Sequence, residues 1–213
     1  MNAPDYLTIS NLKVSDQNGI YETIPYWNID WSFEEKARKC GINHTDSGYE
    51  ICFGISRYGQ NRYTIEYKLD NAVGGYSDRD GANFRFVNDQ MNTTPTHVTV
   101  EIRLADGTSI TDEIADIWGF GFSGEVVYEK GNIIARTDTP ISADNHVTIM
   151  IGLEKGILSP SRQESGSFEE VVNKALEGSD YDNIGKISLF GIMISILLCI
   201  GLPLGLTIWI GKI

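Results

Sequence analysis

From Ile187 to Trp209 the sequence reads ISLFGIMISILLCIGLPLGLTIW, without one acidic or basic side chain. An α-helix rises about 1.5 Å per residue, so a run of this length spans a hydrocarbon layer of about 30 Å. A helix buried in a protein core normally keeps a polar stripe, whereas this one offers only Ser188, Ser195 and Thr207. Lys186 and Lys212 bracket the run, and Trp209 takes an interfacial position. Residues 184–213 are therefore read as a transmembrane helix with the lipid bilayer as partner. One lysine on each side leaves its orientation open. Gly201 and Gly205 form G-x-x-x-G, and Gly191, Ser195 and Cys199 continue the small residues at four-residue steps, a pattern for close packing with another membrane helix; Pro203 kinks it.

The rest of the chain is a different material. Segments 62–69, 82–87, 97–104, 125–130, 132–137 and 146–153 are rich in Val, Ile, Thr, Tyr and Phe, and turn sequences such as ADGTS and KGN separate them. In HVTVEIRL, Val98, Val100, Ile102 and Leu104 share one face, while His97, Thr99, Glu101 and Arg103 share the other. YLTISNLKVSD and YEICFGISR add two strands, and SFEEKARK (32–39) has room for one helical turn. At least eight short strands predict an all-β, immunoglobulin-like antiparallel sandwich over residues 1–156. The polar stretch ILSPSRQESGS then leads to SFEEVVNKALEG. Ser167 and Glu170 have capping-box spacing, Phe168, Val171, Val172, Ala175 and Leu176 share one apolar face, and Gly178 closes the segment. Residues 157–183 thus read as a linker and a short amphipathic helix, which either docks on the sandwich or lies on the bilayer.

Charge and motifs exclude several functions. The formal charge is −12, from 17 basic against 29 acidic residues, and the densest basic cluster, Lys36, Arg38 and Lys39, follows Glu34 and Glu35. Such a chain repels nucleic acid. Gly119, Gly121 and Gly124 have the G-x-G-x-x-G spacing of a dinucleotide loop, but EVVYEKGNIIART after them reads as a hairpin rather than a helix. Phosphate binding at such a loop needs the free N–H groups of a helix start, so no nucleotide cofactor is expected. The residues here are read instead as an aromatic-rich connection, Trp118, Phe120 and Phe122, over the sandwich edge. Glu125 stands where a nucleophile elbow needs glycine. His44, His97 and His146 are scattered and read as strand-edge surface residues. No catalytic residue and no metal cluster is expected.

Three weaker features remain. SDRDGANF offers Asp78, Asp80 and Asn83 as oxygen donors for a weak Ca²⁺ site, although the loop is no EF-hand; solvated turn carboxylates explain it equally. Cys40 and Cys52 flank a turn centred near Asp46, which sets them either as a disulfide or as two small thiols. Asn43-His44-Thr45 and Asn92-Thr93-Thr94 match glycosylation sequons.

ISNLKVSDQNG, RYTIEYKLDNAVGGYSDRDGANFRFV, VTVEIRL and GFGFSGEVVYEKGNIIARTDTPISADNHVTIMIGLEKG, followed by a membrane helix, resemble the bacterial predicted membrane proteins of the domain-of-unknown-function family twenty-two-oh-seven. The resemblance covers roughly residues 7–213. It implies a signal peptide, an extracellular β-sandwich, a membrane helix and usually further helices with a low-complexity cytoplasmic end. The opening strands typical of that family do not precede ISNLKVSD, and MNAPDYLTIS is not a signal peptide, so a piece of a longer chain is expected. The resemblance carries over no catalytic or binding residue. The function expected is a non-enzymatic binding or sensing module outside a bacterial plasma membrane, with Trp27, Trp31 and Trp118 as candidate contact residues. The alternatives are a scaffold packing with an envelope protein partner or with further membrane helices, and a membrane-tethered hydrolase.

Overall fold

The computed structural model describes residues 6–46, 48–89, 91 and 93–179. The elements in chain order are β1 (Thr8–Asp16), β2 (Gly19–Ile20), β3 (Glu22–Thr23), α1 (Phe33–Lys36), β4 (Lys39–Thr45), β5 (Gly48–Phe53), β6 (Tyr63–Asp70), β7 (Gly74–Gly75), β8 (Arg79–Val87), β9 (Thr99–Ile102), β10 (Ala115–Phe120), β11 (Gly124–Glu129), β12 (Asn132–Thr137), β13 (Val147–Glu154), β14 (Arg162–Gln163) and α2 (Phe168–Leu176). The chain is mostly β, as expected. Two compact units are present: the described residues up to Gly74 with Pro160–Gln163, and Gly75–Ser159 with the described residues from Glu164 onward. Residues 1–156, expected as one sandwich, are divided between them, because β6 pairs back onto β1 while β8 pairs onto β13.

In the first unit, β2-β1-β6 and β3-β4-β5 are separate three-stranded sheets. Leu12, Val14, Tyr21 and Cys40 form the core, with Ile42, Ile51, Phe53 and Tyr63 against it. The β1–β6 ladder shifts register between Ser10 and Lys13, where Asn11 adopts a φ of 55°. The expected helical turn is present as α1, with Ser32 and Glu35 closing a capping box. The hairpin of β4 and β5 turns near Asp46, as its sequence predicts, but its register pairs Gly41 with Cys52 and Cys40 with Phe53. Paired residues share a face and neighbours alternate, so the two thiols lie on opposite faces. The disulfide is therefore not formed. Cys40 packs in the core and Cys52 is half-buried, both as free thiols.

The second unit stacks three layers. One sheet has the order β10-β13-β8, the other β11-β12-β9. Val100, Ala135, Val147 and Ile149 meet in one apolar cluster, and Ile133, Ala115, Ile151 and Leu153 in the next, so the two sheets face one another as a sandwich. Val98, Val100 and Ile102 line that interior as their alternation predicts. On the outer face of the first sheet lies α2, and Met150, Phe168 and Val172 are buried between them. Strand β13 is thus covered on both faces, which explains why HVTIMIGL is apolar almost throughout.

Helix α2 starts where its capping box places it, with Ser167 accepting from Glu170 N at 3.2 Å. Its five apolar residues all pack on the sheet, and Gly178 follows at a φ of 72°. The docked alternative is the one realised. The helix is seated by Phe168. Gly152 of β13 pairs with Gly81 of β8, and the ring lies across both. A Cβ on Gly81 would overlap the ring, and one on Gly152 would approach it to 2.8 Å. Two side-chain-free positions on neighbouring strands thus make a flat floor into which the ring fits, with Tyr76 and Trp118 beside it at ring centroid distances of 5.2 and 6.4 Å.

Overpacking that floor is expected to cost about 1–3 kcal/mol for Gly152→Ala in urea denaturation, and Phe168→Ala about 3–5 kcal/mol. In a Phe168→Ala background the Gly152→Ala loss should nearly vanish, since the obstructing ring is gone. Equal losses in both backgrounds would show that the glycine answers to something else.

Candidate functional site

A surface cleft in the second unit follows from where α2 stops. Register places Arg85 of β8, Thr148 of β13 and Phe120 of β10 in one row across the outer face of the sheet. The helix covers Met150 and Trp118, further along those strands, but ends at Leu176. Beyond it the row is the floor of a cleft of about 820 Å³. Ala175, Glu177, Gly178 and Ser179 form one wall, and the turns 121–123 and 144–146 form the other. This volume lies within the usual range for small-molecule sites, about 300–1,000 Å³.

The opposing wall is built tightly. Gly121 has a φ of 84°, and a Cβ there would overlap the His146 imidazole. Glycine is therefore required both by conformation and by space. His146 N donates to Gly121 O at 3.0 Å, which ties the two turns to one another, and Asp138 N, just past the end of β12, donates to Ser123 O at 2.9 Å. Burial and the nearby Arg85 guanidinium push the His146 pKa below its ordinary value, while Asp89 opposes them. Arg85 pairs with Asp89 at 3.2 Å. The buried Thr148 hydroxyl has no hydrogen-bond partner among the described residues. The lining thus combines the rings of Phe120 and Phe122 with amide, hydroxyl, imidazole and guanidinium groups, from Asn83, Asn145, Ser123, Thr148, His146 and Arg85. Such a surface can hold a small ligand by ring contact and several directed hydrogen bonds.

The residues suggested for calcium are dispersed. Asp78 accepts from Phe168 N at 2.6 Å and Glu169 N at 3.1 Å, so it caps α2. Burial alone would raise its pKa, but those backbone N–H groups outweigh burial and hold the carboxyl below its usual range. Asp80 is buried with one oxygen 2.9 Å from Lys155 Nζ and the other without a partner among the described residues. Asn83, at odd spacing from Asp80 on the same strand, points to the cleft face instead. Among the described residues no group of three or more His, Cys, Asp or Glu is placed to hold a metal. The shared site is thus corrected to a helix cap, an ion pair and a cleft residue.

Other sequence features fall as follows. The glycine triplet runs strand–turn–strand, with Gly119 on β10, Gly121 in the turn and Gly124 opening β11. Trp118 and Phe120, expected in a connection, belong to the paired strand β10. Trp118 packs on Phe168 beneath α2, and Trp27 contacts Trp31 with ring centroids 6.4 Å apart in the first unit. His44 packs edge-on against Tyr49. His146, read as a surface residue, is a cleft wall; the signal was its place at the start of the doubly buried strand. Asn43 donates to Glu50 at 2.8 Å, while Asn92 lies outside the described residues. Gly201, Gly205 and the whole apolar run of 184–213 lie outside them too. Among the described residues no helix is long and apolar enough to cross a membrane.

A histidine whose folded pKa is lowered binds fewer protons folded than unfolded. Its contribution is therefore fully present above the unfolded pKa, about 6.5, and is lost as pH falls through the folded value. Urea midpoints should decline as pH drops below that point, and His146→Gln should flatten this part of the profile. An unchanged slope would remove His146 as its source.

No protein-family model matches the sequence, and no curated protein or solved structure matches it.

Proposed function

We propose that this protein is a membrane-anchored binding module of the bacterial cell envelope. Its immunoglobulin-like sandwich is displayed outside the plasma membrane and takes a small polar ligand in the cleft at the end of α2. The cleft carries this reading. Its floor row of Arg85, Thr148 and Phe120 is set by strand register, and its walls are fixed by backbone hydrogen bonds, so the site is formed before a ligand arrives. Thr148 adds a specific reason to bind. A buried hydroxyl without a partner costs stability; rotation about χ1 would turn it toward the cleft, where a ligand acceptor or donor recovers part of that cost. The anchoring rests on the apolar run Ile187–Trp209.

A thermal-shift screen of sugars, amino acids and small organic anions, run on the full chain in detergent, should find a compound that raises the melting temperature. Thr148→Val keeps the shape and removes the hydroxyl, so it should weaken that compound about tenfold, as expected for one lost hydrogen bond. A screen without any stabilising compound would turn the reading toward the scaffold alternative. A compound acting equally on Thr148→Val would move the binding site elsewhere. In cell fractionation the full chain should sediment with membranes and resist carbonate extraction; release by carbonate would remove the anchor.

A further inference from the structure

Strand β6 of the first unit is an open edge. Among the described residues it pairs with β1 alone, and Thr64 through Lys68 are all exposed. An exposed edge presents a row of backbone donors and acceptors that another strand can use. Many edges are blunted by proline, by a bulge or by brevity. This one has eight residues, no proline, and its register irregularity lies on the β1 side, where Ser10 to Lys13 spans the shorter step from Lys68 to Glu66.

The side chains are uncovered in a telling way. Val14 of β1 pairs with Ile65 of β6, so Ile65 and Tyr67 lie on the face that carries the core. Val14 is wholly buried, yet Ile65 and Tyr67 each remain 41% exposed. The apolar face therefore runs past the last strand of its sheet. The chain as a whole is strongly acidic, but the alternate face of β6 carries Glu66, Lys68 and Asp70 with Arg62 just before the strand, and is locally neutral.

From the free edge, the uncovered core face and this charge order we propose that β6 pairs antiparallel with β6 of a second copy of this chain, about a two-fold axis at Tyr67. A two-fold normal to the sheet keeps faces matched, so only registers that pair residues of like parity are allowed. Centred on Tyr67, the pairing sets Glu66 against the partner's Lys68 and Lys68 against the partner's Glu66. On the core face it sets Tyr67 against the partner's Tyr67 and Ile65 against the partner's Leu69. The neighbouring allowed registers fail on charge: centring on Glu66 opposes two glutamates, and centring on Lys68 opposes two lysines. Opposite charges directly across a strand pair stabilise it, and like charges destabilise it. Lys68, now 2.5 Å from Asp70 on its own strand, is 63% exposed and free to turn to the new partner.

The test is sedimentation equilibrium of the full chain in density-matched detergent. The wild-type chain is expected to be a dimer. Glu66→Lys and Lys68→Glu should each oppose like charges twice and weaken the dimer by about tenfold or more. An equimolar mixture of the two variants should recover wild-type affinity, because every cross-pair is again opposite in sign. Both residues are exposed, and circular dichroism checks that each variant folds. Should one fold poorly, the double variant Glu66→Lys, Lys68→Glu decides: it should dimerise with itself but not with the wild type. A monomeric wild type, single variants as dimeric as the wild type, or a mixture no stronger than its components would each overturn the proposal. The second of these would assign association to another surface, such as the small-residue steps of the apolar run.

Discussion

The ring of Phe168 resting on Gly81 and Gly152 is the contact around which the second unit is arranged. A sheet flanked by one other sheet has a wet face, and a strand there should alternate. Removing two side chains from paired positions makes room for a phenyl ring, and the ring brings a helix with it. Everything on that face then follows. Met150 becomes wholly buried, Trp118 and Tyr76 gain an aromatic neighbour, and β13 loses its exposed side. Burying one such ring contributes roughly 1.5–3 kcal/mol, a large share of the few kcal/mol by which domains of this size are stable. Asp78 and Ser167 complete the seat by satisfying N–H groups that a helix start leaves open.

The cleft is the complement of that seat. A nine-residue helix cannot cover strands that continue past it, and the row that floors the cleft beyond it holds one guanidinium, one hydroxyl and one ring. The helix is held at its start, by Phe168 and the caps, while the cleft wall belongs to its end. Stability and recognition are therefore placed on different turns of the same short element. The two tasks share few residues, which leaves the lining able to vary without loss of the fold.

Much of this was legible in the chain. The capping box, the apolar face of α2, its glycine stop, the α1 turn and the strands β8, β9 and β11 to β13 all follow from local rules that tertiary structure did not override. The features that were not legible depend on register or on what lies across the sheet. ADIWGF lacks clean alternation because β10 packs on the sandwich with Ala115 and Ile117 and under the helix with Trp118. Asp80 and Asn83 look like neighbours in sequence but an odd spacing sends them to opposite faces. His146 resembled any strand-end histidine until Gly121, far off in sequence, came to lie beneath its ring. The division into two units is not legible in the chain because a four-residue return, Pro160–Gln163, carries no pattern of its own.

One register also bears on how the two thiols meet an oxidant. With Cys40 facing inward against Phe53 and Cys52 facing away beside Gly41, the hairpin owes nothing to a covalent tie. Among the described residues the first unit is held by packing and hydrogen bonds rather than by a disulfide. Chemical attack would also be lopsided. Cys52 is the more accessible of the two, but burial and then the Glu50 carboxylate raise its pKa and keep it in the sluggish protonated form, while Cys40 is shut away altogether. A domain of this kind tolerates changes of oxidation state that would unravel a cystine-stapled one.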